Sequence, residues 1–274
     1  MKKGITLTFA GGDKRTMVAA KQFLPDVAHV LLTGFDRFEG DTESLTLVHL
    51  PQDALLCADA VVLPLPYTKG GGILNAPFCE KQLPLEHIFA LSEHARVICG
   101  GMLPAEDERF FDYYDEPMML RNADVTAEAA LVLAGNSIGG CLNGCRAVVV
   151  GYGRIGKRLA AKARALGCNV TVAARKERDH ALIRMCGHEA IGFDTLSDAL
   201  CRADVVFNTV PAEVFCESML LRMPAHVPLI DLADSIPSPR AIRATGLPGK
   251  YAPEAAGKIL ADSVRRILTK EGIL

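Results

Sequence analysis

Short apolar, β-branched runs alternate along the whole chain with stretches whose apolar residues recur every three or four positions. The first pattern predicts strands and the second predicts amphipathic helices. In the first half, strands are expected over 5–10, 30–33, 61–65 and 96–100, and helices over 14–24, 53–58 and 85–91. Residues 68–78 carry Gly70-Gly71-Gly72 and read as a loop after a strand, because adjacent glycines favour neither regular structure. A second cycle starts near Asn143. It predicts strands over 147–150, 169–173, 205–209 and 227–232, and helices over 155–166, 177–185, 196–203 and 239–245. Gly167 stands just past one of these helices, where a positive φ is wanted. Between the cycles, 122–135 reads as an alanine-rich helix opened by Thr126 and Glu128. Residues 253–270 read as a last amphipathic helix.

This alternation is the rhythm of parallel sheets covered by helices on both faces. The expected fold class is α/β, with two Rossmann-like, doubly wound parallel-sheet domains, a cleft between them, and the C-terminal helix crossing back to the first. The expected division is a substrate and catalytic domain over 1–121 completed by 253–274, a connecting helix and linker over 122–142, and a dinucleotide-binding domain over 143–252. No solenoid repeat or low-complexity tract interrupts it.

Composition adds exclusions. The 274 residues suffice for two domains with buried cores, and 50% apolar against 23% charged is a globular balance. A net charge of -2 gives no basic excess for nucleic acid and no polybasic tract for a membrane surface. The nine cysteines include no Cys-x-x-Cys pair, so neither a disulfide framework nor a structural zinc site is expected, and the histidines form no ligand pair. No metal is expected. Met1-Lys2-Lys3 precedes an apolar run too short for a signal peptide, and no run approaches the roughly 20 residues of a membrane span. A cytoplasmic protein is expected. Oligomeric state, including a homo-oligomer, stays open.

The chemistry starts at Gly151-Tyr152-Gly153-Arg154-Ile155-Gly156, directly after an apolar strand and directly before a helix with Ala160, Ala161 and Ala163. A strand, this glycine spacing and a helix together form the dinucleotide fingerprint. Gly151 permits the turn, Gly153 leaves room for the diphosphate and Gly156 lets helix and strand approach. The helix N-terminus then favours the ligand's negative charge. An NAD site wants an acid about 20 residues on, to meet the ribose hydroxyls. Here the next strand ends in Ala174-Arg175-Lys176 with no acid from 169 to 176. That favours NADP over NAD, because Arg175 and Lys176 suit a 2′-phosphate. Asn208-Thr209-Val210-Pro211 ends the third strand of the cycle and is expected to line the pocket on the nicotinamide side. Asp231 ends the next strand, as a site residue or as a cap for the helix expected after it.

In the first half, Gly11-Gly12-Asp13-Lys14-Arg15 follows the first strand. It is not a second dinucleotide fingerprint, but N–H groups free at this turn, with Arg15 beside them, would suit a carboxylate. These stretches, with Gly34-Phe35-Asp36, Arg154-Ile155-Gly156, Ala174-Arg175, Asn208-Thr209-Val210-Pro211, Leu232-Ala233 and Leu247-Pro248-Gly249-x-x-Ala252-Pro253-x-x-Ala256-Gly257, resemble the dipicolinate synthase A-subunit family. The last motif is the most specific of them. Residues 107–121 and Lys250 do not match its pattern. The resemblance implies NADP-dependent oxidation of dihydrodipicolinate to dipicolinate, partnership with a flavoprotein-like B subunit, and the mother-cell cytoplasm of a spore former.

A dicarboxylate ring needs cationic or N–H partners. The candidates are the turn Gly11-Gly12-Asp13, Arg15, Pro248, Gly249 and Lys250, with Lys69 on the glycine loop as a further one. The departing proton needs a base, for which Glu128 and Asp231 are the candidates. Glu128 has an equal reading as a carboxylate offsetting a helix N-terminus. Two rivals stand beside this function. One is another two-domain NAD(P)-dependent dehydrogenase of the hydroxyacid or homocysteine-hydrolase type. The other is a non-catalytic nucleotide-binding subunit that works with a flavoprotein partner.

Overall fold

Two parallel sheets form, each of six strands among the described residues. The structure, a computed structural model, describes residues 3–42, 45–101, 103–104 and 107–274. Met1 and Lys2 of the N-terminal reading lie outside them. The chain divides into two units, Met1–Met119 with Ala252–Leu274, and Leu120–Tyr251.

The first unit runs β1 (Lys3–Ala10), α1 (Lys14–Lys21), β2 (Val27–Thr33), β3 (Thr46–Leu47), α2 (Pro51–Leu55), β4 (Ala60–Val62), α3 (Leu85–Leu91), β5 (Arg96–Cys99) and β6 (Phe110–Asp112). The long α4 (Glu116–Ile138) follows, and the division between units falls inside it. The second unit continues with β7 (Arg146–Val150), α5 (Arg154–Ala165), β8 (Asn169–Ala173), α6 (Glu177–Met185), β9 (Glu189–Ile191), α7 (Leu196–Leu200), β10 (Val205–Asn208), α8 (Glu217–Arg222), β11 (Leu229–Asp231), β12 (Ala241–Arg243) and α9 (Leu247–Tyr251). The final helix, α10 (Pro253–Lys270), belongs to the first unit.

The sheet orders are β3-β2-β1-β4-β5-β6 and, from the opposite edge, β9-β8-β7-β10-β11-β12. Both are the same doubly wound order, and in each the order reverses beside the first strand of the unit. Ligands of such sheets bind beyond the carboxyl ends of the strands at that reversal.

Period-two patterning builds the second core. Ala147 and Val149 face one layer, with Leu159, Ala160 and Ala163 of α5 and Ala127, Ala130 and Ala134 of α4. Val148 and Val150 face the other, with Leu196, Leu200 and Phe215. In the first unit, Val61, Leu63 and Val97 pack with Leu55 of α2 and Ile88 of α3. There α10 lies hard against α1, since a Cβ at Gly257 would come 2.5 Å from Val18 Cβ and 2.7 Å from the Arg15 carbonyl oxygen. Its buried Leu260 and Val264 each contribute about 1.5–3 kcal/mol on leaving water. Arg265 pairs with Asp26 at 2.8 Å and lies 4.7 Å from the centre of the Phe23 ring.

Each unit also carries, within itself, the same kind of staple between neighbouring strands. The Asp59 carboxylate accepts from the Thr6 N–H at 2.8 Å, while the Asp59 N–H donates to the Thr6 carbonyl at 2.9 Å. Asp204 and Arg146 repeat this at 2.8 and 2.9 Å, and the Arg146 guanidinium adds a bond of 2.7 Å.

Several expectations are corrected. Residues 239–245 do not form a helix, because Ala241–Arg243 pairs in parallel with β11 as an edge strand. Pro239 suggests a helix start, but Gly246, with φ of 67°, ends the segment before a helix can establish itself. The connecting helix starts at Glu116, so Thr126 and Glu128 are interior residues and do not open it. Thr126 Oγ1 donates back to the Asn122 carbonyl at 2.7 Å. The edge strands β3, β6 and β9 are too short for periodicity to reveal. Gly167, at φ of 87°, takes the conformation its position calls for.

Candidate functional site

β7 delivers the chain into the turn Gly151-Tyr152-Gly153. The Gly151 N–H donates to the Ala173 carbonyl at 2.9 Å, tying the turn to the end of β8. Gly151 has φ of 100°, and a Cβ there would come 2.5 Å from Thr209 Oγ1 and 2.8 Å from Val210 Cγ2. A Cβ at Gly156 would run into the Gly151 carbonyl oxygen. These two glycines serve the protein's own packing. Gly153 differs, for a Cβ there would meet nothing within 4 Å.

Gly153 is also the cap of α5. The cap offers no side chain to the first turn of that helix, and no acid lies in that turn. The turn faces a pocket of about 400 Å³. Ala174, Arg175 and Lys176 line it beyond β8, and Thr209, Val210 and Pro211 line it beyond β10. An uncapped helix N-terminus, open space at its cap and two exposed cations at the rim make a receptor for an extended phosphate-bearing ligand. A dinucleotide fits this donor set.

Sequence reasoning missed three lining residues. Asp179 stands in the first turn of α6, and Phe193 follows an edge strand that the pattern does not reveal. Tyr152 lies within the fingerprint as a variable position. Its hydroxyl donates to Cys186 Sγ at 3.7 Å, and Lys157 Nζ lies 5.4 Å from its ring centre. Burial, the Cys186 bond and nearby charge push the phenol up to about 12, so it stays neutral at physiological pH.

The other expected residues divide. Thr209, Val210 and Pro211 reach the pocket, whereas Asn208 is fully buried and does not line it. Asn208 Nδ2 donates to Asp231 Oδ1 and to Ser235 Oγ, each at 2.9 Å. Arg154 and Ile155 open α5 without lining the pocket. Asp231 is fully buried, and its carboxylate accepts from Asn208 Nδ2 and the N–H groups of Ala233, Ser235 and Ile236. A carboxylate has about four acceptor positions, and these donors fill them. Asp231 therefore caps a turn, not the helix expected after it. Glu128 projects from the middle of α4, exposed, with Lys162 Nζ at 3.2 Å. Lys250 is exposed on α9, 5.3 Å from the Tyr251 ring centre, while Pro248 is buried and Gly249 half-buried. Lys69 is exposed on its loop.

The first unit's turn departs furthest from expectation. The N–H groups of Gly11 and Gly12 are not free, because they donate to the carbonyls of Thr33 and Asn75, both at 2.9 Å. Asp13 caps α1 by accepting from the Arg15 N–H at 2.9 Å. Arg15 Nε returns to the Asp13 carboxylate at 3.0 Å, and Arg15 Nη2 donates to the Leu65 carbonyl at 2.8 Å. The loop through Leu74, Asn75 and Ala76 lies over Gly11. Within 107–121, Tyr113 is fully buried against Gly100 and donates to the Leu63 carbonyl at 3.1 Å; burial raises its phenol.

Among the described residues no helix is long and apolar enough to cross a membrane. Among them, too, no three or more His, Cys, Asp or Glu side chains are grouped to hold a metal ion.

Comparison with known proteins assigns each unit. Residues 6–116 match the family of the dipicolinate synthase A-subunit N-terminal domain. Residues 121–235 match that of the D-isomer specific 2-hydroxyacid dehydrogenase, NAD binding domain. The chain is 25% identical to the dipicolinate synthase A-subunit of Bacillus subtilis over 292 aligned positions, covering 98% of each. The crystal structure of the dipicolinate synthase A-subunit from Bacillus halodurans is similar with a TM-score of 0.84 and 27% identity, over 98% of this chain and 99% of that one. That of the Bacillus subtilis protein has a TM-score of 0.81 at 24% identity, over 98% and 97%. The family resemblance read from the motifs is borne out across both units. The match over 121–235 indicates a nicotinamide cofactor for the second unit.

Proposed function

We propose that this chain, which resembles the dipicolinate synthase A-subunit family over 98% of its length, binds NADP(H) at the Gly151–Gly156 turn and oxidises dihydrodipicolinate to dipicolinate. The observation that carries the reading is Gly153, open to space at an uncapped helix start, with Arg175 and Lys176 at the rim of the same pocket. When bound, the nicotinamide takes up the two electrons that leave the ring as it becomes aromatic.

The chain's own residues do the rest. First-turn N–H groups of α5 hold the diphosphate. Arg175 and Lys176 select the 2′-phosphate, and the small Ala174 leaves them room. Lys250, exposed on α9, is the cation we assign to a substrate carboxylate. With the Asp231 acceptors filled, Glu128 is the carboxylate we assign to the ring proton, its exposed position allowing exchange with water. A flavoprotein-like B subunit is the partner this reading expects, and the mother cell of a spore former is the expected setting.

The test uses the purified chain, freshly generated dihydrodipicolinate and either nucleotide, with and without a B-type partner. Dipicolinate absorbance rising together with nucleotide reduction, faster with NADP than with NAD, is the expected result. Turnover only in the pair, with nucleotide still bound by the chain alone, would assign it the non-catalytic role. Glu128→Gln with unchanged turnover would remove Glu128 as the base.

A further inference from the structure

The pocket wall beyond β10 is held from behind. Asn208 Oδ1 accepts from the Val210 N–H at 3.1 Å, and Ser235 Oγ donates to the Val210 carbonyl at 2.7 Å. Both peptide groups flanking Val210 are thus pinned, the first by Asn208 and the second by Ser235 at 2.7 Å with Asn208 Nδ2 a longer 3.4 Å from the same carbonyl. Asn208 Nδ2 joins the two anchors by donating to Ser235 Oγ and to Asp231 Oδ1. Asp231 Oδ1 also accepts from the Ala233 N–H at 3.1 Å, and its Oδ2 accepts from the N–H groups of Ser235 and Ile236 at 2.9 and 2.8 Å. In the loop these bonds close, Asp234 takes φ of 52°, the one non-glycine residue with positive φ among those described.

We propose that Asn208, Asp231 and Ser235 are positioning residues that set the Val210–Pro211 wall against the nicotinamide-bearing half of the dinucleotide. The inference rests on the dinucleotide reading above and gives Asp231 a role other than that of a base. Val210 packs where a Cβ of Gly151 would be, so the orientation of its backbone fixes the mouth of the phosphate turn. Arg175 and Lys176, beyond β8, serve the adenosine half. The β10 side of the reversal point, where this wall stands, is left to the other half. A hydrogen-bonded network with Asn208 and Asp231 buried at its centre holds one arrangement, and losing one member loosens the rest.

Ser235→Ala removes only the hydroxyl that bonds the Val210 carbonyl and leaves every backbone donor to Asp231 in place. The full chain is titrated with NADPH by fluorescence and with 2′-AMP, the adenosine half alone, by calorimetry. The expected result is about three- to tenfold weaker NADPH binding with 2′-AMP affinity unchanged. Asp231→Asn is expected to act in the same direction while leaving the pH profile of turnover in place. Equal weakening of both ligands would mean general loosening and overturn the proposal, as would unchanged NADPH binding in Ser235→Ala. Loss of the acid limb of the pH profile in Asp231→Asn would make that residue a base and also overturn it. A wild-type chain that binds neither ligand would instead defeat the dinucleotide reading, an outcome distinct from the others.

Discussion

The first βα turn occurs twice in this molecule, and the two copies have opposite fates. Gly11 and Gly151 correspond, each directly after the first strand of its sheet and each donating its N–H to the carbonyl that ends or follows the neighbouring strand. Two residues on, one turn has Asp13 and the other Gly153. In the first unit the Asp13 carboxylate caps α1 and grips Arg15, so the protein supplies its own anion at the start of that helix. In the second, the cap has no side chain and the space is open. At the other end of the sheets the copies stay alike, with Asp59 and Asp204 making the same backbone staple. One scaffold thus carries a self-satisfied turn and a receptive turn, and the difference lies at the carboxyl ends of the strands.

The largest effect should come from making the second turn like the first. Gly153 has φ of -80°, which any residue tolerates, so Gly153→Asp should fold. Its carboxylate would face the diphosphate at a cost of several kcal/mol, weakening NADPH by more than about 100-fold in a fluorescence titration. Next, Arg175→Ala should reduce the preference for NADP over NAD by roughly 10- to 100-fold, since a charge-assisted hydrogen bond is worth about 1.5–3 kcal/mol. Calorimetric Kd values for the two nucleotides check it, and an unchanged ratio would break the assignment.

In the first unit, Asp13→Ala should lower stability by about 1 kcal/mol through loss of the cap, read by urea unfolding. It should not create a nucleotide site, because Asn75 still holds the Gly12 N–H. The smallest effect concerns the shared staple. The bonds from Arg146 hold the Asp204 carboxyl below its ordinary 3.8. A depressed folded-state value means the staple contributes above that ordinary value and fades as pH falls through the folded one. Asp204→Asn should therefore cost under about 1 kcal/mol at neutral pH and nothing in strong acid. Asp59→Asn should cost less still, because no guanidinium bond is lost there.

The fingerprint is legible because a strand, three glycines and a helix lie within one short segment, whereas Asp179, which lines the same pocket from the helix after β8, is not. The occupancy of the Gly11 and Gly12 N–H groups is not legible, because the carbonyls that accept from them come from Thr33 and Asn75, distant in sequence. Asp231 was ambiguous for a related reason. A strand-end carboxylate looks the same on paper whether four donors surround it or none. The helix expected at 239–245 failed because a single parallel edge pairing outweighed a weak local signal. Local chemistry could be read from the sequence, whereas burial and remote hydrogen bonds could not.

The last helix gives the chain an unusual order of assembly. α10 completes the unit that the first residues begin, and its Gly257 sits where only a hydrogen fits against α1. On the ribosome, residues 120–251 are therefore all synthesised before the earlier unit has its final helix. The nucleotide-binding half can reach its native state first, while the half translated before it waits with the α1 surface uncovered. A stall or cleavage before residue 252 would release a chain that has α1 but lacks the helix that packs on it.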